Sequence, residues 1–294
     1  MDVSDINPVL NELSYATAID LLRITLLVYN YGKEFSLAKN DDTVESFVDS
    51  LKKNGKFEQL SLNETRKKVL SDIAYNVPSG KLARFINDEK SDIQAGITVS
   101  ENKRRICVVF RGSESKADWR YNLRIMKHKL SDNIKVHSGF YKQLTENNVY
   151  DTIVSEVKKI LEMHPDFSIY ITGHSLGGAL STLFGYMLSN EIDNQITVVS
   201  FASPRVGNYE WKQAFNAKSN LTHYRVTNNR DIVTAFPVYR YHHVGHNIRL
   251  FDDKYNLIER SVKRSWYEET IFTCWRVSEH DCEVYYNRFT STEW

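Results

Sequence analysis

The chain has 294 residues, of which 41% are hydrophobic, so it can bury a sizeable core as one large α/β domain or two small ones. Its 38 basic and 37 acidic residues give a formal net charge of +1, which argues against nucleic acid as a partner. The three cysteines, Cys107, Cys274 and Cys282, are too few for a disulfide framework and predict free thiols in a reducing compartment.

The N-terminal part of the chain predicts a helix. After a polar lead-in, residues 16–29 place Ile19, Leu22, Leu26 and Tyr29 at helical spacing on one face, which predicts an amphipathic helix. This stretch is too short and too polar to span a bilayer. The acidic N-terminus lacks the basic start and the apolar centre of a secretion signal, so we expect an intracellular protein without a transmembrane segment.

A polar, charge-rich stretch over residues 33–80 predicts two further helices. The first begins at Asp42, with Glu45 three residues later as a capping box. The second covers residues 63–75 and ends before a Pro and Gly pair of helix breakers. The stretch carries no recognisable chemistry, and we interpret it as a helical insertion on the main domain.

From about residue 83 the pattern changes to short buried strands that alternate with helices. The predicted strands cover residues 92–99, 105–110, 168–172, 195–201, 221–226 and 246–251. The predicted helices between them cover residues 141–164, 175–188 and 209–217. This alternation predicts the α/β class, with a mostly parallel central sheet and helices on both faces. No linker is visible, so we expect a single domain, with a helical lead-in and insertion over residues 1–82 and a catalytic core over residues 83–294.

The pentapeptide from Gly173 to Gly177, GHSLG, stands between a predicted strand and a predicted helix. In a G-x-S-x-G turn the serine occupies a strained backbone position, and a side chain on either flank would collide with the adjoining elements. Ser175 is therefore predicted to be a nucleophile exposed at the head of a helix, where free N–H groups stabilise an oxyanion.

A serine nucleophile needs a histidine base, and the histidine needs a carboxylate to orient it. In this kind of fold the acid follows a later strand, and Asp231 lies in the turn after residues 221–226. The base should follow the last strand, which favours His280 over His242, His243 and His246.

The remaining histidines have simpler interpretations. For the cluster His242, His243 and His246 we favour packing and hydrogen bonding beneath the site. A metal site is disfavoured there, because Val244 and Gly245 do not suit helical pairing and no cysteine or acidic ligand lies close by. We expect neither a metal nor a cofactor. His174, inside the pentapeptide, is expected to point away from the serine and to pack.

The oxyanion requires two hydrogen-bond donors. One is the backbone N–H of Leu176, directly after the nucleophile. The second must come from an earlier strand-to-helix loop, and residues 110–113 end a buried strand with a glycine that permits close approach, which makes Ser113 the candidate. On pattern alone, an ordinary turn at these residues is an equal alternative.

Together these motifs resemble one known family, the class 3 lipases, which are fungal-type triacylglycerol lipases of the α/β-hydrolase fold. The resemblance covers residues 91–286. The motifs that carry it are VVFRGSES with a following DW (108–119), VHSGF (136–140), ITGHSLGGALSTL (171–183), FASPRVGN (201–208), RVTNNRDIVTAFP (225–237) and EHDCEVYY (279–286).

The resemblance implies Ser175 as nucleophile, Asp231 as acid, His280 as base and Ser113 as the early oxyanion donor. It also implies a mobile helical lid just after Ser113, which corresponds to Ser115, Trp119 and Leu123. Arg205 and Asn208 are similar to structural loop residues of the family.

The chain departs from the secreted fungal members, since it has no visible signal peptide or disulfide framework and carries the insertion at 33–80. The region of the lid is basic, with Lys116, Arg120, Arg124, Lys127 and Lys129 against two acidic residues. A solvated charged face is the favoured interpretation, and attraction to anionic lipid surfaces is the alternative.

We therefore expect a carboxylic ester hydrolase that cleaves fatty-acyl esters of acylglycerols through an acyl-enzyme. The expected partner is its lipid or ester substrate, which it would meet at a membrane or droplet surface. Phospholipase A1-type activity, short-chain esterase activity and acyl transfer to an acceptor other than water are alternatives within enzymes. A non-catalytic lipid-binding or scaffold domain that retains the fold is the alternative from another class.

Overall fold

The computed structural model describes residues 13–37, 43–56, 64–112, 126–252, 254–258 and 276–292. The N-terminal helices are α1 (Tyr15–Tyr31), α2 (Val44–Lys53) and α3 (Glu64–Tyr75). The strands are β1 (Lys81–Asp88), β2 (Ile93–Ser100), β3 (Arg105–Phe110), β4 (Lys127–Lys129), β5 (Lys135–His137), β6 (Ser168–His174), β7 (Ile196–Phe201), β8 (Leu221–Asn228), β9 (His246–Leu250) and β10 (Tyr255–Ile258). The later helices are α4 (Ser138–Thr145), α5 (Val149–Met163), α6 (Leu176–Leu188), α7 (Tyr209–Asn216) and α8 (Cys282–Ser291).

Eight of these strands form one sheet in the order β1-β2-β3-β6-β7-β8-β9-β10. The five central strands, β3, β6, β7, β8 and β9, are parallel, and the outer pairings are antiparallel. Strands β4 and β5 pair with each other in a separate two-stranded ribbon.

The two faces of the sheet carry two separate cores, because successive side chains of a strand point to opposite faces. On β3, Val108 and Phe110 belong to the core formed with α4, α5, α6 and α7. Their neighbours Cys107 and Val109 belong to the core formed with α1, α2, α3 and α8. The predicted class, an α/β-hydrolase with a mostly parallel sheet between two layers of helices, is confirmed. The division into residues 1–82 and 83–294 stays a prediction.

Helix α1 is buried on more sides than its sequence pattern predicts. Leu21, Leu27 and Val28, which lie off the predicted apolar face, are fully buried. The helix packs between strands β3 and β6 on one side and helix α8 on the other, so the prediction of a single buried face is wrong. Its one buried carboxylate, Asp20, is paired with Lys103 and Arg105, as a buried charge requires.

Two other predicted helices differ in their bounds. Helix α2 is capped by Thr43, whose side chain accepts from the Ser46 N–H, so the predicted start at Asp42 is one residue early. The long helix predicted over residues 141–164 is two helices, α4 and α5. Asn147 and Asn148 separate them with φ values of 53° and 59°, a left-handed conformation that asparagine tolerates better than most residues.

The parallel strands bring distant parts of the chain to one edge of the sheet. Strands β6, β7 and β8 are neighbours in register, so their carboxyl ends lie side by side. The chain leaves β6 at Ser175 and leaves β8 toward Asp231. Within the described part of the chain, no helix is long and apolar enough to cross a membrane. Cys107 and Cys282 are buried free thiols, and the third cysteine lies outside the described residues.

Candidate active site

Ser175 forms the turn between strand β6 and helix α6, with φ of 57° and ψ of −122°. This is a sparsely populated conformation for a residue with a side chain, and such strain concentrates at functional sites. The glycines on either side make the turn possible. A Cβ on Gly173 would lie 2.5 Å from the backbone of Gly177, and a Cβ on Gly177 would lie 2.3 Å from the carbonyl oxygen of Phe110.

The end of strand β3 packs against this turn. A Cβ on Gly112 would lie 2.7 Å from the carbonyl oxygen of His174 and 3.5 Å from Cβ of Ser175. Leu176 is the first residue of α6, so its backbone N–H has no acceptor within the helix and is available beside the serine. Ser113, the other predicted oxyanion donor, lies outside the described residues, although Gly112 before it is in contact with the turn.

The structure brings Ser175, His280 and Asp231 together in one chain of hydrogen bonds. His280 Nε2 lies 2.7 Å from Ser175 Oγ, and His280 Nδ1 lies 2.9 Å from Asp231 Oδ2. An ionised carboxylate only accepts, so Nδ1 carries the proton and Nε2 is left to accept from the serine hydroxyl. This is the tautomer that can take a proton from Ser175.

Asp231 is fully buried, and its carboxylate is held by three donors. Oδ1 accepts from the N–H of Val233 at 2.9 Å, and Oδ2 accepts from His280 and, at 2.7 Å, from the hydroxyl of Tyr285. Burial and the nearby Asp231 raise the pKa of Tyr285 well above its usual value, so its hydroxyl keeps the proton that it donates. The carboxylate is thus fixed in position by groups other than the histidine it orients.

The backbone of His280 is held at two successive carbonyl groups. The side-chain amide of Asn228, at the end of β8, donates to the carbonyl oxygen of Glu279 at 2.8 Å. His174, at the end of β6, contacts the carbonyl oxygen of His280 through Nε2 at 2.9 Å. Burial and the neighbouring His280 hold the pKa of His174 well below its usual value, so its ring is neutral. The ends of two strands therefore position the turn that carries His280.

The other downstream histidines have different partners. His243 Nε2 lies 2.7 Å from the carbonyl oxygen of Thr234, His246 stacks on Tyr224, and His242 meets the ring edge of Tyr209. These contacts agree with the predicted packing and hydrogen bonding. Among the residues that the structure describes, no group of three or more His, Cys, Asp or Glu side chains is placed to hold a metal ion.

The predicted lid residues Ser115, Trp119 and Leu123 lie outside the described residues. The two predicted loop residues are described. Arg205 is buried and donates to the carbonyl oxygens of Ala235 and Pro237. Asn208 caps α7 by accepting from the N–H of Trp211 at 3.0 Å. Both therefore hold loops near the carboxyl edge of the sheet.

Three residues that support the site were missed or assigned a lesser role from sequence. His174 was predicted only to pack, and Asn228 and Tyr285 were not singled out. All three lie within motifs that carry the resemblance: His174 in 171–183, Asn228 in 225–237 and Tyr285 in 279–286. Their roles depend on contacts between residues 51 to 106 positions apart, which sequence spacing does not specify.

A serine at a strained strand-to-helix turn, a histidine in the base tautomer and a buried carboxylate define the site as that of a serine hydrolase on an α/β-hydrolase sheet. The family model described as Lipase (class 3) matches residues 107–241, which include Ser175 and Asp231. The resemblance to the class 3 lipases is thereby confirmed.

Curated relatives match about half of the chain. Phospholipase A1-II 3 of Oryza sativa subsp. japonica is 31% identical over 180 residues, which cover 51% of this chain and 43% of that protein. Phospholipase A1-IIgamma of Arabidopsis thaliana is 29% identical over 172 residues, which cover 49% of this chain and 41% of that protein. The matched region thus spans less than half the length of these relatives.

Solved structures show the same fold over nearly the whole chain. The Rhizomucor miehei lipase in a propeptide complex superposes with a TM-score of 0.70 at 19% identity, covering 94% of this chain and 78% of that chain. A triacylglycerol lipase described as having a serine protease triad superposes with a TM-score of 0.67 at 20% identity, covering 94% of each chain. At these identities the similarity establishes the fold alone.

Proposed function

We propose that this protein is a carboxylic ester hydrolase that cleaves fatty-acyl esters of lipids through Ser175, His280 and Asp231. The observation that carries the proposal is the pair of hydrogen bonds through His280, at 2.7 Å to the serine hydroxyl and 2.9 Å to the carboxylate. The match to the lipase family supports an ester of a fatty acid as the substrate.

In the acylation step, Ser175 Oγ attacks the acyl carbonyl carbon while His280 Nε2 accepts the hydroxyl proton. Asp231 stabilises the imidazolium that forms, and its other two donors keep it in place during the transfer. His280 then gives the proton to the leaving alcohol oxygen, and the acyl-enzyme remains. Water, activated by the same histidine, releases the fatty acid and restores the serine.

The negative charge that develops on the carbonyl oxygen lies at the N-terminus of α6. The Leu176 N–H and the helix dipole stabilise it there, and the helix is already fixed because its first turn is packed against β3. A second donor from Ser113 completes the oxyanion hole in this proposal.

The test of the chemistry compares wild type with Ser175→Ala on p-nitrophenyl esters of short and long acyl chains. Turnover should be lost in Ser175→Ala, with the fold unchanged by circular dichroism. Ser189→Ala is the matched control, because Ser189 caps the far end of the same helix and its hydroxyl bonds only the Tyr186 carbonyl. If no ester shows serine-dependent turnover, the proposal is overturned in favour of a non-catalytic lipid-binding or scaffold domain that retains the fold.

Acylglycerols are the substrate class proposed first, and a specific observation favours phospholipids as a second candidate. The curated relatives described above carry the name phospholipase A1. Hydrolysis of trioleoylglycerol should be compared with that of a phosphatidylcholine carrying different fatty acids at its two positions. Release of only the sn-1 fatty acid establishes the phospholipase, and release from trioleoylglycerol alone establishes the acylglycerol lipase. Ester formation with an added alcohol would reveal acyl transfer.

A further inference from the structure

The two-stranded ribbon of β4 and β5 concentrates positive charge on one of its faces. Lys127 and Lys129 are two residues apart on β4, so both side chains point to the same face. Lys129 pairs directly with Lys135 on β5. Like charges directly opposite each other destabilise a pair of strands.

The opposite face of the ribbon shows which way the lysines point. His128 stacks on Tyr141 of α4 at a centroid distance of 3.7 Å, and Val136 is fully buried in the core beneath the ribbon. Lys129 and Lys135, which pair at one end of the ribbon, are exposed, so this end of the lysine face is directed to solvent. At the other end Lys127 is half-buried beside its buried strand partner His137.

A neighbouring loop adds a fourth cation to this face. Gly207 forms bridges with both Val136 and His242, which places the loop at 239–242 beside the ribbon. Arg240 is exposed there and stacks over the ring of Tyr239 at 5.0 Å. Lys127 lies over the ring of Tyr241 at 4.4 Å, which holds its ammonium group against the same loop.

Three of these four cations have no carboxylate partner among the residues that the structure describes. Partial burial, and then the charges of Arg240 and Lys135, lower the pKa of Lys127. Lys129 is paired with Asp132 at 3.0 Å. For Lys127, Lys135 and Arg240, no carboxylate of the described residues lies within ion-pair distance. The face therefore carries a local positive charge in a chain that is nearly neutral overall.

Exposed apolar side chains flank the cations. Met126, which precedes Lys127, is 66% exposed, and Tyr239, which precedes Arg240, is 62% exposed. Tyr209 is 47% exposed beside His242. Half of the large apolar side chains that are exposed in the described ranges thus surround this one surface. Tyrosine and methionine beside lysine and arginine are the side chains that bind at the boundary between lipid headgroups and acyl chains.

The surface is linked to the active site by backbone hydrogen bonds. Ser175 N–H donates to the carbonyl oxygen of Phe201, and the loop that follows Phe201 continues to the ribbon. In that loop, the carbonyl oxygen of Val206 accepts from the N–H of His137 at 2.8 Å. The loop from Phe201 to Val206 therefore joins the backbone of the nucleophile to the backbone of the ribbon.

We propose that Lys127, Lys129, Lys135 and Arg240, with Met126, Tyr209 and Tyr239, form a docking surface for membranes that contain anionic phospholipids. This docking rests on the proposed function, because it would bring the active site to an aggregated lipid substrate. Each basic side chain near an anionic membrane contributes roughly a five-fold gain in binding. We expect only weak binding to neutral bilayers, because they carry no negative charge to attract these cations.

The test measures sedimentation with vesicles of phosphatidylcholine alone and of phosphatidylcholine mixed with phosphatidylglycerol. The protein carries Ser175→Ala throughout, so that vesicles are not hydrolysed and binding is measured independently of catalysis. We expect binding to the anionic vesicles, weakened by salt, and little binding to the neutral ones. Lys127→Gln/Lys135→Gln/Arg240→Gln should weaken the anionic binding on the order of 100-fold.

The matched control is Lys53→Gln/Lys90→Gln/Lys159→Gln, which removes the same charge from exposed positions elsewhere on the chain. This variant should bind anionic vesicles almost as wild type does. Equal loss in both triple variants, or equal binding to neutral vesicles, would overturn the proposal, as would binding to acidic peptide or DNA without binding to vesicles. The single variants Lys135→Gln and Arg240→Gln, each exposed and each expected to lose about five-fold, serve if the triple variant does not fold.

Failure of this proposal is distinguishable from failure of the proposed function. Turnover of a soluble p-nitrophenyl ester by the protein with its serine intact reports the catalytic site without any vesicle. Serine-dependent turnover together with no preference for anionic vesicles overturns the docking surface alone.

Discussion

His174 and His280 are joined by a hydrogen bond between the ring of the first and the backbone of the second. A carbonyl oxygen only accepts, so Nε2 of His174 carries the proton and donates to His280 at 2.9 Å. The two rings lie 4.8 Å apart. A neutral His174 therefore anchors the base without placing a second positive charge beside it when His280 becomes an imidazolium.

Loss of this anchor should reduce catalysis more than stability. In His174→Leu, the His280 backbone loses its donor, and small misplacement of a base can cost on the order of 100-fold in rate. In His174→Gln, the amide nitrogen can occupy the place of Nε2 and should restore most of kcat. Kinetics on a soluble ester should show kcat falling with KM nearly unchanged. A fall in stability for both variants alike, with kcat per folded molecule intact, would contradict a positioning role.

Tyr285→Phe should affect both stability and rate. The change removes a donor to Asp231 and leaves the buried N–H of Asn228 without the oxygen that accepts it at 2.8 Å. An unsatisfied buried group costs about 1–3 kcal/mol, so urea unfolding should show a loss of this size. We expect kcat to fall by roughly 10-fold because the carboxylate is less firmly held. Tyr286→Phe is the control, since that hydroxyl bonds Asp72 and Arg23 instead, and kcat should be unchanged.

The glycines of the strand-to-helix turn should not tolerate alanine. In Gly177→Ala the new methyl group would lie 2.3 Å from the carbonyl oxygen of Phe110, which is backbone and cannot move aside. We expect loss of nearly all turnover together with a lower thermal midpoint. Gly96→Ala is a milder change in the same sheet, because its nearest neighbour is a side-chain methyl of Val109 at 3.2 Å. Comparable activity in the two variants would show that the turn is not constrained as described.

Stability should fall at alkaline pH, in part through Cys107. Burial raises the pKa of the Cys107 thiol from 9.0 to about 12. Above pH 9 the unfolded chain loses this proton while the folded chain keeps it, so stability decreases as pH rises from about 9 to 12. Cys107→Ala lowers stability by creating a cavity but removes this dependence. Its deficit against wild type, measured by urea unfolding, should therefore shrink as pH rises, by up to about 1.4 kcal/mol per pH unit. A constant deficit would show that the thiol titrates alike in both states.

The break between α4 and α5 can be tested at Asn148. Its φ of 59° suits glycine better than asparagine and suits a β-branched residue poorly. Asn148→Gly should be neutral or slightly stabilising, and Asn148→Val should cost about 1–2 kcal/mol in the free energy of unfolding. If valine is tolerated as well as glycine, the two helices are continuous in solution.

The fold class and the nucleophile could be predicted because their signals are local. Strand β3 is a continuous apolar run whose bounds follow from its sequence, and it was predicted with the bounds that the structure has. The turn at Ser175 requires glycine two residues before and after it, and that requirement depends on the geometry of a strand-to-helix connection rather than on distant contacts.

Other features required the tertiary structure. The burial of α1 on two sides was not predictable, because helix α8, which covers its outer side, lies more than 250 residues later in the chain. The break at Asn147 could not be predicted, because the apolar periodicity continues across it and an asparagine in the left-handed conformation looks like any other asparagine in the sequence. Local patterns report the element in which a residue lies, not the element that packs on it.

The site divides in the same way. The types and order of the reacting groups could be predicted from the sequence, because chemistry restricts which side chains can act as nucleophile, acid and base. How these groups are held in place depends on the tertiary fold. Asn228, His174 and Tyr285 meet the backbone of residues 279–280 and the carboxylate of Asp231 because the parallel strands end at one edge of the sheet. The grouping of the basic residues on the β4–β5 ribbon likewise depends on strand pairing, which sequence spacing does not reveal.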